Sequence, residues 1–226
     1  MSLRKVSLRK ALKLFGSAEN RLISALRDDI RAEIRKQDGD DSGGGDFHVG
    51  FWRDAKDHAT HKFDLTAATR IRIDSNKGRQ RLYPALRTGF LQWWDEFRRL
   101  SNEGFEEIEE SIHGRYSIPD ANAYIKVENV LALKIGGVTT RIIYPYFSEQ
   151  PILSDEAARM GLWLMAKALP KYDLADMVLL DVLRSKGYST VDTPLRGDEE
   201  SRFLDRFNRV LQRWITLAKE DYAWAA

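Results

Sequence analysis

The chain has 226 residues, of which 43% are hydrophobic and 31% charged, and its formal net charge of +2 is too small to argue for nucleic acid by itself. It contains no cysteine, which excludes disulfides, thiolate metal sites and cysteine nucleophiles and fits a reducing, cytoplasmic setting. No apolar run approaches the roughly 18 residues of a membrane span, and Lys and Arg interrupt every N-terminal window that could form a signal core.

The charge is unevenly placed. Residues 1–37 hold ten Lys or Arg against four Asp or Glu, so this stretch is about +6 and the remainder about −4. Ser7 is a helix cap for a short amphipathic segment with Leu8, Ala11, Leu12 and Phe15, which Gly16 breaks. Leu22, Leu26, Ile30 and Ile34 then recur every fourth residue with Ile23 beside them, which predicts an amphipathic helix of about five turns. From Asp38 to Asp46 there are four glycines and no apolar residue, the composition of a flexible linker. The predicted organisation is a basic amphipathic helical arm at 1–37, a linker at 38–46 and an α+β domain at 47–226.

Helices are predicted over Phe51–His61, from Asp64 through Ile73, and from about Arg79 to Leu100, the last with Pro84 near its start and Leu82, Leu86, Phe90, Trp93, Trp94 and Phe97 on one face. Glu103–Glu110 reads as an acidic surface connection. Ala123–Val127 and Val130–Ile135 are predicted strands. Gly136-Gly137 then forms a turn with positive φ, and Val138–Tyr144 returns antiparallel until Pro145 marks a strand end or an edge. These strands are apolar on both faces, which predicts a sheet covered on both sides. A helix from Ser154 to Leu169, a buried strand at Met177–Leu183, a further strand at Tyr188–Val191 and a last helix at about Glu199–Lys219 complete the chain. The fold class is therefore α+β: a helical N-terminal third, a small and mainly antiparallel sheet in the order helix–three strands–helix–strand, and a C-terminal helix.

That order resembles the core of the PD-(D/E)XK nuclease superfamily over about 105 residues, on topology alone. The resemblance implies an Asp on the second strand and Glu-x-Lys on the third, which hold Mg²⁺ and activate water. Here those strands offer Lys134, Thr139, Thr140 and Arg141. Asp181 is one candidate acid, with no lysine two residues later. The resemblance therefore implies a nuclease-like core that is inactive.

Other chemistry is thinly represented. Asp54, His58 and His61 stand at helical spacing in the one dense cluster of metal-capable side chains, with His48 and Asp57 nearby; they suggest a metal-dependent hydrolase, and fit an ordinary solvated helix face more readily. There is no Gly-x-Ser-x-Gly, no phosphate loop and no dinucleotide fingerprint. No catalytic residue and no cofactor is therefore assigned. Arg79, Arg81, Arg87, Arg98 and Arg99 with Tyr83, Trp93 and Trp94 mix basic and aromatic residues as single-strand binders do, although aromatics at this spacing are more often core. Tyr144-Pro145-Tyr146-Phe147 has the character of an interaction patch, or of a strand end packed on a helix.

The basic arm is the main functional candidate. Arg4, Lys5, Arg9, Lys10 and Lys13 can meet phosphates, while the apolar face, with Leu22, Leu26 and Ile30, can enter a protein groove, lie on an anionic membrane surface or dock on the chain's own body. The reading is a non-catalytic cytoplasmic protein–protein interaction protein that uses this arm on a protein partner or on a second copy of itself. A nucleic-acid-associated protein with a nuclease-like core and a metal-dependent hydrolase are the alternatives.

Overall fold

A computed structural model of the chain describes residues 2–39, 46–108 and 110–222. The helical N-terminal third is present: α1 (Leu8–Gly16), α2 (Glu19–Gln37), α3 (Val49–Ala59), α4 (Leu65–Ser75) and α5 (Tyr83–Arg99). A short strand β1 (Lys5–Ser7) precedes α1. The later elements are β2 (Phe105–Glu107), β3 (Gly114–Ile118), β4 (Ala123–Val127), β5 (Leu131–Ile135), β6 (Thr139–Tyr146), α6 (Asp155–Ala168), β7 (Met177–Asp181), β8 (Lys186–Tyr188) and α7 (Glu199–Tyr222). Among the described residues no helix is long and apolar enough to cross a membrane.

The fold is α+β, with the strands divided between two sheets. The larger has the order β2-β5-β6-β7-β8, and only the β6–β7 pair is parallel. The hairpin at its centre pairs Leu131 with Ile143 and Ile135 with Thr139. Gly136 and Gly137 have φ of +60° and +71°, so both turn positions use the left-handed region that glycine enters without strain. The loop also takes in Val138, which is 86% exposed, so the turn is one residue longer than the two-glycine expectation. Pro145 lies beyond the last β5 partner and pairs only with β7, so its missing N–H costs the β5 ladder nothing.

Helix, three antiparallel strands, helix and parallel strand do occur in order, as α5, β2–β5–β6, α6 and β7. The first strand is β2 at Phe105–Glu107, in the stretch expected to be a surface connection. Ala123–Val127 instead belongs to the second sheet, of order β1-β4-β3, where β1 runs parallel and β3 antiparallel to β4. The last strand of the larger sheet is Lys186–Tyr188, where Tyr188–Val191 was expected.

Period-two alternation fixes what covers each face of the larger sheet. Ala132, Ile142, Tyr144, Tyr146, Met177 and Leu179 face a core completed by α1, α2, α6, α7 and the second sheet. Leu131, Leu133, Ile143 and Leu180 face the other core, filled by Phe51, Trp52, Tyr83, Phe90 and Trp94 from α3 and α5. The apolar runs of β5–β7 thus reflect a sheet buried on both sides, as expected.

Residues 3–37 are part of this body, which corrects the expectation of a separate arm. Leu3, Val6, Leu8, Leu12, Leu14, Phe15, Leu26 and Ile30 are all buried in the first core. The physical reason is that α1 and β1 supply an apolar face that β4, α6 and α7 would otherwise leave in water, and α2 then packs along α7. Of the expected linker, residues 40–45 lie outside the described residues.

Candidate anion-binding site

A cleft of about 310 Å³ opens beside the C-terminal end of β6. Five separate segments build it. Lys5 and Ser7 come from β1, Arg9 and Lys10 from the first turn of α1, Asp46, His48 and Trp52 from the entry to α3, Lys126 from the end of β4 with Glu128 and Asn129 from the turn after it, and Tyr144 and Phe147 from the end of β6.

Local chemistry explains the assembly. Parallel pairing of β1 with β4 sets Ser7 opposite Lys126. Ser7 is extended, and its hydroxyl accepts the Lys10 N–H at 3.3 Å, which starts α1 there and turns Arg9 and Lys10 toward the cleft. The preceding amide, Arg9 N–H, donates to the Tyr144 hydroxyl at 3.0 Å. Burial pushes the Tyr144 phenol up to about 12, so it stays neutral and serves as a fixed post for the helix start. Asn129 has φ of +60°, which reverses the chain between β4 and β5 and presents its carbonyl to the Trp52 indole N–H at 2.6 Å.

The charged groups are ordered by pairs. The Arg9 guanidinium lies 5.4 Å from the Phe147 ring centre and pairs with Asp46. Lys10 pairs with Asp29 on α2, and Lys126 with Glu128 at 2.9 Å. Lys5 is exposed and has no ion-pair partner among the described residues. Four cations and two carboxylates therefore line the cleft, and one of the cations, Lys10, also meets Asp29 from outside it. Because Tyr144 and Ser7 already occupy two of the first amides of α1, side-chain cations rather than helix amides would meet an anion.

Asp46 organises His48. One carboxylate oxygen accepts the His48 backbone N–H at 3.0 Å and lies 3.4 Å from Nδ1, and the other meets Arg9. The His48 side chain foremost, then its backbone amide and Arg9, hold the Asp46 carboxyl far below the usual carboxylate range against the opposing effect of burial. The His48 ring stacks on Phe147 with centres 4.8 Å apart and planes within 3°. Its Nε2 is buried and has no protein partner. His48 and Phe147 also border an adjoining hollow of about 480 Å³ that holds Lys13 and Arg21.

The sequence-predicted site residues separate into three fates. Arg9, Lys10 and Lys13 do come together around these two hollows. Leu26 and Ile30 are fully buried inside the chain's own core and Leu22 is half-buried against it, so the apolar half of the expected partner-binding set is already covered. The proposed metal face does not form. α3 ends at Ala59, and His61 has left the helix with φ of +58°. Asp54 is held by a bidentate pair with Arg72 at 2.6 and 2.7 Å, and His58 Nδ1 accepts the Leu65 N–H at 3.3 Å. Burial pushes the His58 imidazole pKa down. Among the described residues no three His, Asp or Glu side chains are grouped to hold a metal ion.

Asp181 is 1% exposed at the end of β7, where burial pushes its carboxyl up against the counteracting Arg184. Arg184 ties that strand end to the chain after β6 through the carbonyls of Ser148 and Glu149 at 2.8 and 2.7 Å. Asp181 is thus paired with Arg184, at 3.3 Å. Tyr83, Trp93 and Trp94, and likewise Tyr144, Tyr146 and Phe147, are buried, so neither aromatic group offers an exposed stacking surface. The cleft as a whole was missed from sequence; the one local signal was Asp46-x-His48, where a short acid lies within reach of an imidazole two residues on. No protein family, curated protein or solved structure matches this chain.

Proposed function

We propose that the protein binds a phosphate-bearing ligand, a nucleic-acid strand foremost, in the cleft between β1, α1 and the end of β6. The observation that carries this reading is the convergence of Lys5, Arg9, Lys10 and Lys126 on one concave site with only two carboxylates in its lining. A phosphate 4 Å from one such cation gains about 4 kcal/mol at an effective dielectric of about 20, before desolvation and side-chain ordering are charged against it. The buried aromatics support the walls of the cleft and leave base stacking out of the recognition. A cytoplasmic setting, expected from the cysteine-free sequence, belongs to the same proposal.

The test is fluorescence anisotropy of a labelled single-stranded oligonucleotide at several salt concentrations. Lys5→Ala with Lys126→Ala should weaken binding and flatten its salt dependence, because fewer counterions are released. Equal affinity and equal salt slope in the variant refute the proposal.

Self-association is a second reading, and a specific observation favours it. Leu100 and Val191 are 85% and 87% exposed and border one hollow with Phe97 beside the edge strand β8. A second copy meeting this patch would appear as a concentration-dependent mass in light scattering, abolished by Leu100→Asp with Val191→Asp.

A further inference from the structure

The ion pairs around the cleft and the adjoining hollow leave an ordered remainder. Every carboxylate in the two linings is already held by a cation: Asp46 by Arg9, Glu128 by Lys126, and Glu149 by Arg81 in a bidentate pair at 2.7 and 2.6 Å. Lys10 is held in turn by Asp29 from outside the cleft. Three exposed cations of the linings have no ion-pair partner among the described residues: Lys5 in the cleft, and Lys13 and Arg21 in the hollow.

These cations stand in sequence along the surface. Lys5 is on β1, just before α1. Arg9 and Lys13 are four residues apart on one face of α1, about 6 Å along its axis. Arg21 is in the first turn of α2. The stacked rings of His48 and Phe147 belong to both linings, and the Arg9 guanidinium lies over Phe147, so Arg9 marks the place where the cleft passes into the hollow.

We propose that the cleft and the hollow are successive phosphate seats on one track: a single strand meets Lys5 and Lys126, crosses the divide at Arg9 and Phe147, and sets a further phosphate between Lys13 and Arg21. The inference rests on the reading of the cleft as a phosphate site and deepens it, naming a flexible chain of several phosphates as the ligand. A ligand with one phosphate would neutralise one end of the track and leave the unpaired cations of the other end in place. A duplex, stiff over about 150 base pairs, does not dip into two adjoining concavities. A single strand repeats its charge and bends between one charge and the next.

Fluorescence anisotropy of a labelled oligothymidylate on the full chain, at several salt concentrations, compares three double variants. Lys5→Ala with Lys126→Ala empties the first seat, and Lys13→Ala with Arg21→Ala empties the second. Arg35→Ala with Lys36→Ala removes the same charge from exposed positions about four turns beyond Arg21 on α2, away from the track. Circular dichroism confirms the fold of each variant. The expected result is one strand bound per chain and a salt slope reduced by about 0.7 for each phosphate that loses its cations. Both track variants should flatten the slope, their combination should flatten it by the sum, and Arg35→Ala with Lys36→Ala should keep the slope of the unmodified protein.

If Lys13→Ala with Arg21→Ala changes the slope no more than Arg35→Ala with Lys36→Ala does, the second seat is overturned, while the cleft reading stands on the Lys5 and Lys126 variant. Two strands bound per chain also overturn the track, because the hollows are then separate sites. If the Lys5 and Lys126 variant matches the unmodified protein, or the unmodified protein binds no strand, the cleft reading fails and the inference fails with it.

Discussion

Replacing Leu26 by Ala separates an integral N-terminal segment from a dissociable one. Leu26 is fully buried on α2 in the core shared with α7 and lies one helical turn before Ile30, which is also fully buried. Truncation removes the transfer free energy of the side chain and leaves a cavity that the rigid α2–α7 contact closes only in part. Leu→Ala changes at such sites cost about 2–5 kcal/mol. For a chain of this size each kcal/mol lowers Tm by about 2–4 °C, so the expected fall is between about 4 and about 20 °C. Asn20→Ala is the control, because Asn20 is exposed on the same helix and should change stability by no more than about 0.5 kcal/mol. Thermal and guanidinium unfolding followed by circular dichroism measure both variants. If the segment were a tethered arm, Leu26→Ala would match Asn20→Ala within about 0.5 kcal/mol, and that result would refute its assignment to the core.

Other perturbations test the remaining parts of the account. A Cβ at Gly89 would fall 2.0 Å from the Val182 carbonyl oxygen, so Gly89→Ala should force α5 off the end of β7 and cost about 1–3 kcal/mol in chemical denaturation. Asp54→Ala strips Arg72 of a bidentate partner and should cost about 2–3 kcal/mol, while added Zn²⁺ should leave the Tm of the unmodified protein unchanged; a metal-induced rise would restore the metal reading. Burial raises the pKa of Glu156, but hydrogen bonds from Arg206 and Arg202 outweigh it and leave the net shift downward. The sign follows: the native state binds fewer protons than the unfolded chain, so this contribution is present above about pH 4.5 and is lost as pH falls through the folded value. Glu156→Gln should therefore lower stability near neutrality and flatten its decline in acid, as read from denaturant midpoints across that range. For Asp181 the shift is upward, so its ionised form is disfavoured by folding, and Asp181→Asn should raise the denaturant midpoint at neutral pH.

The larger sheet was legible because its strands declare themselves locally. Two apolar runs flank a Gly-Gly turn, and burial on both faces is written in the lack of alternation at Leu131, Ala132 and Leu133. The α-helices were legible for the same reason, since each carries its own period or cap. The short strands were not. β1 is three residues with one buried side chain, and Lys5 pairs with Tyr124, far away in sequence. β2 reads Phe-Glu-Glu, which carries no strand pattern of its own and is ordered by pairing with Leu133–Ile135. Propensity over three residues is too weak to compete with a tertiary contact in either case.

The misplaced arm and the missed cleft have one physical origin. A helix with a clear apolar face states that something covers that face and leaves open whether the cover is a partner or the same chain. In α1, Leu8, Leu12 and Phe15 point into the core while Arg9, Lys10 and Lys13 point to the two hollows, so the residues suspected of binding were suspected for a sound reason. What the sequence withheld was the other half of the site. Lys126, Glu128 and Asn129 lie more than a hundred residues along, at the end of β4 and in the motif-free turn after it, and reach α1 only because β1 pairs with β4. The charge asymmetry of residues 1–37 therefore marks one wall of a cleft. Its apolar face holds that wall in place, which is why the cations stand at fixed positions against Asp46, Glu128 and His48 instead of searching solvent on a tether.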